Sequence, residues 1–234
     1  MKCKRIAIIT ARGGSKRIPK KNIKEFCGKP IMAYSIEAAR KSQLFDEVMV
    51  STDSEEIASV AREYGASVPF MRSAKTSDDY ATTNDVLQEV FEEYEKCGRH
   101  FDVAVCIYPT APFITGDKIA NAMKLLMDQG AQQVVPVVAY SYPPQRSQKI
   151  DDKGLLRYRF SEYVLTRSQD LEPWYHDAGQ FYCYDIKKYI ACEGMCTENI
   201  PLIVSELEVQ DIDNETDWKL AEMKYKMMIE KHDS

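Results

Sequence analysis

The sequence of 234 residues has no hydrophobic run long enough to cross a membrane or to form the apolar region of a signal peptide. The apolar run nearest its start covers only residues 6–10, counting a polar end. A basic excess is also missing, because 31 lysines and arginines face 36 aspartates and glutamates, for a formal net charge of -5. Domains that bind nucleic acid are usually basic. We therefore expect a cytoplasmic protein that binds neither membranes nor nucleic acid.

Paired cysteine motifs are absent too. The seven cysteines are odd in number and contain no CxxC spacing, which disfavours a disulfide framework and a structural zinc site. Cys192 and Cys196 lie four positions apart, downstream of His176 and Cys183. We favour free thiols there over a metal site, since free cysteine usually acts as a small apolar residue. No GxSxG motif accompanies His176, so nothing indicates a serine or cysteine nucleophile.

What the sequence does contain is a regular alternation of short apolar runs with segments that carry apolar residues at helical spacing. Strands are predicted at residues 6–9, 48–50, 103–108 and 133–139, and helices at 30–41, 54–65, 86–94 and 117–127. Strand patterns return at 181–184 and 203–204, and a last helix is predicted at 215–231. This order predicts one α/β domain over residues 1–234, with a mostly parallel sheet flanked by helices.

The alternation stops at about residues 140–176. This segment contains many aromatic residues and arginines, unlike a flexible linker, which would be rich in glycine, serine or proline. We interpret it as an insertion that contacts either the substrate or a second subunit.

A basic, glycine-containing loop follows the first strand. Six positive side chains and no acidic one lie between Arg12 and Lys24, although the protein is acidic overall. Gly13 and Gly14 allow a tight turn that presents backbone N–H groups, and Lys16 and Lys21 add positive charge. The loop matches neither GxxxxGK[ST] nor GxGxxG. We favour a polyphosphate site over a solvated surface loop by roughly two to one.

Two aspartates near the end of the chain form a second signal. If the backbone is extended there, the carboxylates of Asp211 and Asp213 project to the same side. Together with phosphate oxygens, two carboxylates suit Mg²⁺. The alternative is that Asp213 or Asn214 caps the following helix. Both readings stay open, because one aspartate could serve as metal ligand and cap.

Other segments give weaker signals. Asp53 follows the second predicted strand, where capping of the next helix is favoured over contact with a metal or a ribose. Arg72 precedes the polar stretch 77–83, which could contact a base or cap a helix. Arg146 and Arg167 could bind an acidic substrate, since guanidinium groups recognise carboxylates.

Taken in order, these segments resemble the family of CMP-sugar synthetases that activate sialic-acid-type sugars. The resemblance covers nearly the whole chain and is carried by residues 11–16 with Pro19, Lys21 and Asn22, then by 50–53, 109–112 and 211–213. Residues 27–30, 107–112, 167–173 and 175–182 resemble the branch that acts on pseudaminic acid. In the enzymes that act on N-acetylneuraminate, glutamine usually stands where this chain has Tyr108, which favours a modified relative of that sugar.

The resemblance implies a nucleotide-diphospho-sugar transferase fold, which is Rossmann-like, with a dimerising insertion and a homodimeric enzyme. It implies that CMP passes from CTP to an acidic nine-carbon sugar with Mg²⁺ as cofactor. Asp211 and Asp213 would bind the metal, and with Arg12 and Lys21 they form the predicted catalytic set. The CTP contacts would come from Ala11, Arg12, Gly13, Gly14, Ser15, Lys21, Asn22, Arg72, Ala81, Thr82 and Thr83, and the sugar contacts from Tyr108, Arg146, Arg167 and Gln180.

Two alternatives remain. The first is the same reaction with N-acetylneuraminate, legionaminate or KDO as the sugar. The second is a regulatory module that binds the nucleotide without catalysis, which the Asp211/Asp213 pair disfavours because a binding module has less need of a reactive metal.

Overall fold

The computed structural model describes residues 3–232, and the side chains of residues 3–230. Numbered in chain order, the strands of this part of the chain are β1 Arg5–Thr10, β2 Glu25–Phe26, β3 Lys29–Pro30, β4 Glu47–Ser51, β5 Val103–Ile107, β6 Gln133–Ala139, β7 Gln148–Ile150, β8 Leu156–Tyr158, β9 Tyr175–Asp177, β10 Phe181–Asp185 and β11 Asn199–Ile203. The α-helices are α1 Ile31–Lys41, α2 Glu55–Glu63, α3 Thr83–Lys96, α4 Gly116–Gln129, α5 Ile186–Ala191 and α6 Glu215–His232.

The central sheet has the strand order β11-β6-β10-β5-β1-β4, and β9 pairs with β6. Strand β1 is parallel to both of its neighbours, β4 and β5, and β11 is parallel to β6. Strand β10 runs antiparallel to β5 and to β6. The prediction of a mostly parallel sheet flanked by helices is confirmed. Strand β10 and the short strand β9 run in the reverse direction.

Strand β1 shows why an unbroken apolar run fits this position. Its side chains alternate between the two faces of the sheet, so Ala7 and Ile9 lie in one apolar cluster while Ile6 and Ile8 lie in another. Helices α1, α2 and α4 cover the first face, and α3 and α5 cover the second. A strand covered on both faces needs apolar residues at every position.

The helix starts follow local rules that the sequence carries. Side chains of Ser54, Thr82, Thr115 and Asp185 accept backbone N–H bonds at the first turns of α2, α3, α4 and α5. Gly130 ends α4 in the left-handed conformation. Helix α5 was not predicted, because its six residues are too few to show a helical period.

The chain leaves the sheet after Ala139 and returns to it at Tyr175. Between these points lie short 3₁₀ turns and the hairpin β7–β8, whose residues are all exposed. No helix in the described part of the chain combines the length and apolar character that crossing a membrane requires.

Candidate active site

A cleft of about 460 Å³ opens at the carboxyl ends of β1 and β5. Its lining combines the basic loop after β1, the segment after β5 and the segment that precedes α6. The lining residues are Thr10, Arg12, Ser15, Lys16, Arg17, Lys21, Asn22, Asp79, Tyr108, Pro109, Thr110, Asp211 and Asp213. Ligands bind at this edge of an open α/β sheet.

The start of the basic loop is held by hydrogen bonds that it donates to β4 and to the residues after β4. The Ala11 backbone N–H donates to the Ser51 carbonyl oxygen at 3.0 Å, and the Gly13 N–H donates to Asp53 Oδ1 at 2.8 Å. A Cβ atom on Gly13 would lie 3.2 Å from Cβ of Ser54, a tight contact that favours glycine there. Helix α2 is capped by Ser54 rather than by Asp53. The capping role favoured for Asp53 is therefore wrong, since its carboxylate positions the loop instead.

A hydrogen bond joins the end of the basic loop to its beginning. Asn22 is buried and donates from Nδ2 to the Arg12 carbonyl oxygen at 2.8 Å. Ser15 N–H donates to the Gly13 carbonyl oxygen at 3.0 Å, which closes a tight turn around Gly14. These bonds hold the side chains of Arg12 and Ser15 at the wall of the cleft.

Lys21 joins the basic loop to the segment before α6. Its Nζ donates to the carbonyl oxygen of Ile212 at 2.7 Å, between the two predicted metal ligands. Burial lowers the pKa of Lys21, while the nearby carboxylates of Asp213 and Asp211 act in the opposite direction. Lys21 is thus held beside two carboxylates at the wall of the cleft.

Asp211 and Asp213 both line the cleft, and Asn214 caps α6. Asn214 Oδ1 accepts the backbone N–H groups of Thr216 and Asp217, so neither aspartate is occupied by the cap. Loss of water around its carboxyl group, followed by repulsion from Asp213, raises the pKa of Asp211. Asp213 pairs with Arg17 at 2.8 Å.

The donor set fits a divalent cation whose coordination is completed by the substrate. Within residues 3–230 no cluster of three or more His, Cys, Asp or Glu side chains is suited to hold a metal. Mg²⁺ commonly uses one or two carboxylates together with phosphate oxygens and water. A pair of carboxylates facing a basic loop meets that requirement. Loss of water first, and repulsion from Asp213 second, raise the pKa of Asp211, and a bound cation would lower it.

The aspartate at position 79 lies among the positive side chains of the loop. Its Oδ1 accepts a hydrogen bond from Arg12 Nη1 at 3.0 Å, and its Oδ2 pairs with Lys16. Arg12 Nη1 also donates to the Asp78 carbonyl oxygen at 2.8 Å. The ion pairs with Lys16 and Arg12 lower the pKa of Asp79, so it is a carboxylate at neutral pH. Asp79 is thus the anionic partner of Arg12 and Lys16 in this structure.

Tyr108 forms the wall of the cleft after β5. Its hydroxyl lies 3.4 Å from Thr83 Oγ1 at the start of α3, and its ring meets that of Tyr182 edge-on at 5.6 Å. Tyr182 in turn donates from its hydroxyl to Asp177 Oδ2 at 2.8 Å. A cluster of hydroxyl groups and a carboxylate therefore lies at the Tyr108 side of the cleft.

The predicted cytosine contacts lie outside the cleft lining. Arg72 is buried, and its Nε and Nη2 donate to the side chain and the carbonyl oxygen of Ser51. Thr82 caps α3 through a reciprocal bond pair with Asp85. Ala81 lines a different surface depression, together with other residues of the 73–81 segment. A cytosine role for residues 72 and 81–83 stays a prediction.

Three of the predicted sugar contacts also lie away from the cleft lining. Arg146 and Arg167 are exposed on the 140–174 segment, where Arg146 bonds Ser168 and Arg167 pairs with Asp170. Gln180 is buried and donates from Nε2 to the Glu208 carbonyl oxygen at 2.5 Å. Within one chain, Tyr108 alone of the predicted sugar residues lines the cleft.

Sequence reasoning missed the contributions of Arg17 and Asp79 to the site. Arg17 was visible only as one of six positive charges, and nothing in its spacing indicated its pairing with Asp213. Asp79 lies more than sixty residues from the loop it contacts, and no motif connects the two.

Comparison with known proteins gives consistent matches. The sequence model of the family described as Cytidylyltransferase matches residues 6–191. The chain is 38% identical over 226 residues to a pseudaminic acid cytidylyltransferase of Campylobacter jejuni, covering 96% of this chain and 97% of that protein. It is 36% identical to the CMP-N,N'-diacetyllegionaminic acid synthase of Legionella pneumophila, covering 93% of this chain and 94% of the other.

The fold is shared with a solved structure of CMP:2-keto-3-deoxy-manno-octonic acid synthetase complexed with CTP. The two superpose with a TM-score of 0.67 at 17% identity, over 97% of this chain and 99% of the other.

Proposed function

The chain belongs to the cytidylyltransferase family, and on that premise we propose that it transfers CMP from CTP to pseudaminic acid in a Mg²⁺-dependent reaction that releases pyrophosphate. The observation that carries this proposal is the cleft in which a basic loop faces the Asp211/Asp213 pair. The choice of sugar is supported by the similarity to the Campylobacter jejuni protein over nearly the full length of both chains.

The basic loop suits the triphosphate of CTP. Arg12, Lys16 and Lys21 all line the cleft, and the loop backbone is held rigid by Asn22 and Asp53. We infer that the phosphates replace the Asp79 carboxylate as partner of Arg12 and Lys16. Positive groups that are fixed before the reaction stabilise the charge that develops on the leaving pyrophosphate.

Asp211 and Asp213 would hold Mg²⁺, which supplies polarisation of the α-phosphate when it is bound. Lys21 keeps this segment in place through its bond to the Ile212 carbonyl oxygen. Tyr108 lines the same cleft. It orients the sugar so that the anomeric hydroxyl of the sugar attacks the α-phosphorus of CTP in line. Most of the rate enhancement then comes from positioning and electrostatics, without a covalent enzyme intermediate.

We also propose that the chain acts as a homodimer through the 140–174 segment. Tyr142, Ile150, Leu156 and Leu165 are exposed there by 88%, 72%, 66% and 95%. Large apolar side chains exposed on one segment favour an interaction site there. Arg146 and Arg167 lie on the same segment. Docking of a second copy of the chain would bring them to the sugar-binding cleft of that copy.

The experiment that tests the reaction is pyrophosphate release from CTP with Mg²⁺ and pseudaminic acid. Parallel reactions contain N-acetylneuraminic acid, N,N'-diacetyllegionaminic acid or KDO, no sugar, or EDTA in place of Mg²⁺. Release with pseudaminic acid alone, abolished by EDTA, is the expected result. Release with another sugar would keep the reaction and change the substrate, whereas CTP binding without any release would indicate a regulatory module.

A further inference from the structure

Two cysteine thiols lie in contact immediately after α5. Sγ of Cys192 and Sγ of Cys196 are 3.3 Å apart, and both side chains are half-buried. The tight turn that connects them brings the thiols together, with the Met195 N–H donating to the Cys192 carbonyl oxygen at 2.8 Å. A disulfide bond is about 2.05 Å long, so a small movement of the two side chains would allow bonding.

We propose that Cys192 and Cys196 form a reversible redox site, in which a small-molecule disulfide oxidises the pair to an intramolecular disulfide. One cysteine thiolate attacks the small-molecule disulfide, forming a mixed disulfide and releasing one thiolate. The second cysteine then loses its proton and attacks the sulfur of the first, releasing the other thiolate. The two cysteines lose two electrons and two protons, and the small-molecule disulfide is reduced to two thiols.

The surroundings of the pair affect how readily it reacts. Burial, and secondarily the neighbouring thiol, raise the pKa of Cys196 to about 12, which slows its reaction as a thiolate. Either cysteine can make the first attack, and the other then resolves the mixed disulfide. Both cysteine residues are only partly buried, so a small oxidant can approach the pair.

The turn that carries the two thiols is connected to the cleft through Asn84, near the start of α3. Asn84 accepts a hydrogen bond from the Tyr189 hydroxyl at 2.6 Å and donates to the Glu193 carbonyl oxygen at 3.1 Å. It also packs tightly on Gly194, where an added Cβ would lie 2.0 Å from Asn84 Oδ1. Asn84 therefore places the turn and the start of α3 in direct contact.

Thr83 transmits this contact to the cleft. It precedes Asn84 directly, and its hydroxyl lies 3.4 Å from that of Tyr108, which lines the cleft. Drawing Cys192 and Cys196 together changes the turn at Glu193 and Gly194, and with it the position of Asn84 and Thr83. We therefore expect the disulfide to weaken sugar binding; this part of the inference rests on the proposed function.

The test of the redox site does not need activity. The full chain is incubated with oxidised glutathione, then denatured, alkylated and weighed by mass spectrometry. In the peptide that carries Cys192 and Cys196, the wild type is expected to lose both alkylatable thiols without keeping glutathione, and dithiothreitol should restore them. Cys192→Ser and Cys196→Ser each retain one thiol of the pair and should keep a glutathione adduct on it, because no second thiol is there to displace it. Cys97→Ser, which removes an exposed thiol elsewhere, should behave like the wild type.

Full alkylation of the wild type after oxidation, or a peptide map that places the bridge on other cysteines, would overturn the redox site. The coupling is tested separately, by measuring the KM for the sugar before and after oxidation. We expect a rise of about fivefold, the lower end of typical coupling between sites, reversed by dithiothreitol and absent in the Cys192→Ser/Cys196→Ser double variant, which cannot form the bridge. A disulfide that forms with no change in KM would overturn the coupling alone, and an inactive reduced enzyme would refute the proposed function instead.

Discussion

Lys21 Nζ donates to the carbonyl oxygen of Ile212 at 2.7 Å, which ties the basic loop after β1 to the segment before α6. The two residues are 191 positions apart in the chain. The bond places one ammonium group beside two carboxylates, and it brings the proposed phosphate and metal sites into the same cleft. The expected effects of replacing Lys21 or Asp213 depend on this arrangement.

Replacing Lys21 or Asp213 with alanine is expected to lower kcat about 100-fold, because each change removes a group that stabilises charge in the transition state. Lys20→Ala is the matched control, since Lys20 pairs with Glu56 and does not line the cleft. Turnover is measured by pyrophosphate release, and circular dichroism checks the fold. Near-normal turnover in both folded variants would contradict the roles assigned to them.

Asp79→Asn is expected to bind CTP more tightly. The triphosphate must displace the Asp79 carboxylate from Arg12 and Lys16, and the variant removes that competition. Because these are exposed ion pairs, the gain should be about two- to fivefold in Kd, measured by calorimetry and decreasing with added salt. Asp128→Asn removes an exposed ion pair elsewhere and should leave Kd unchanged. Weaker binding by Asp79→Asn would show that Asp79 belongs to the nucleotide site.

Tyr108→Gln is expected to shift the enzyme from pseudaminic acid towards N-acetylneuraminic acid. The measurement is the ratio of kcat/KM for the two sugars, and a change of about tenfold is typical of one altered pocket contact. Tyr108→Phe keeps the ring and removes only the hydroxyl near Thr83. It should therefore change the ratio less than glutamine does. An unchanged ratio in Tyr108→Gln would remove Tyr108 from the determinants of sugar choice.

Thr82→Ala is expected to reduce the free energy of unfolding by about 1 kcal/mol, because the hydroxyl caps α3 and pairs reciprocally with Asp85. Urea denaturation measures the effect. Thr82→Ser keeps the hydroxyl and should stay close to the wild type. If both variants bind CTP normally, the predicted cytosine contact of Thr82 is wrong and its role is structural.

Leu156→Asp and Leu165→Asp are expected to shift the protein from dimer to monomer. Both side chains are exposed on the 140–174 segment, where a carboxylate would be buried without a partner in the dimer interface. Sedimentation velocity over a concentration series measures the equilibrium. Met223→Asp, at an exposed position of α6, serves as the control. A wild type that stays monomeric at all concentrations would refute the dimer.

Most strands of the sheet were predictable because local sequence determines them, although β9 was not predicted and β11 begins four residues before the predicted start at residue 203. Residues 133–139 were predicted as a strand and form β6 with the same bounds, since a short run rich in valine favours a strand over a helix. Helix α2 begins after Ser54 as predicted, because its cap acts within one turn. The reversal of β10 was not predictable, since parallel and antiparallel strands buried on both faces have the same apolar pattern.

By itself, the sequence determined the α/β class, the position of the basic loop and the presence of two aspartates before α6. These depend on residues close together in the chain, where propensity, capping and charge act directly. Only the tertiary structure decided which partners the charged side chains have. Arg17 pairs with Asp213, Lys21 donates to the Ile212 carbonyl oxygen, and Asp79 pairs with Lys16 of the basic loop. It also decided that Asn214 caps α6, so that both aspartates face the cleft. Contacts between residues far apart in sequence follow from how the strands and helices pack, and no local pattern in one chain records them.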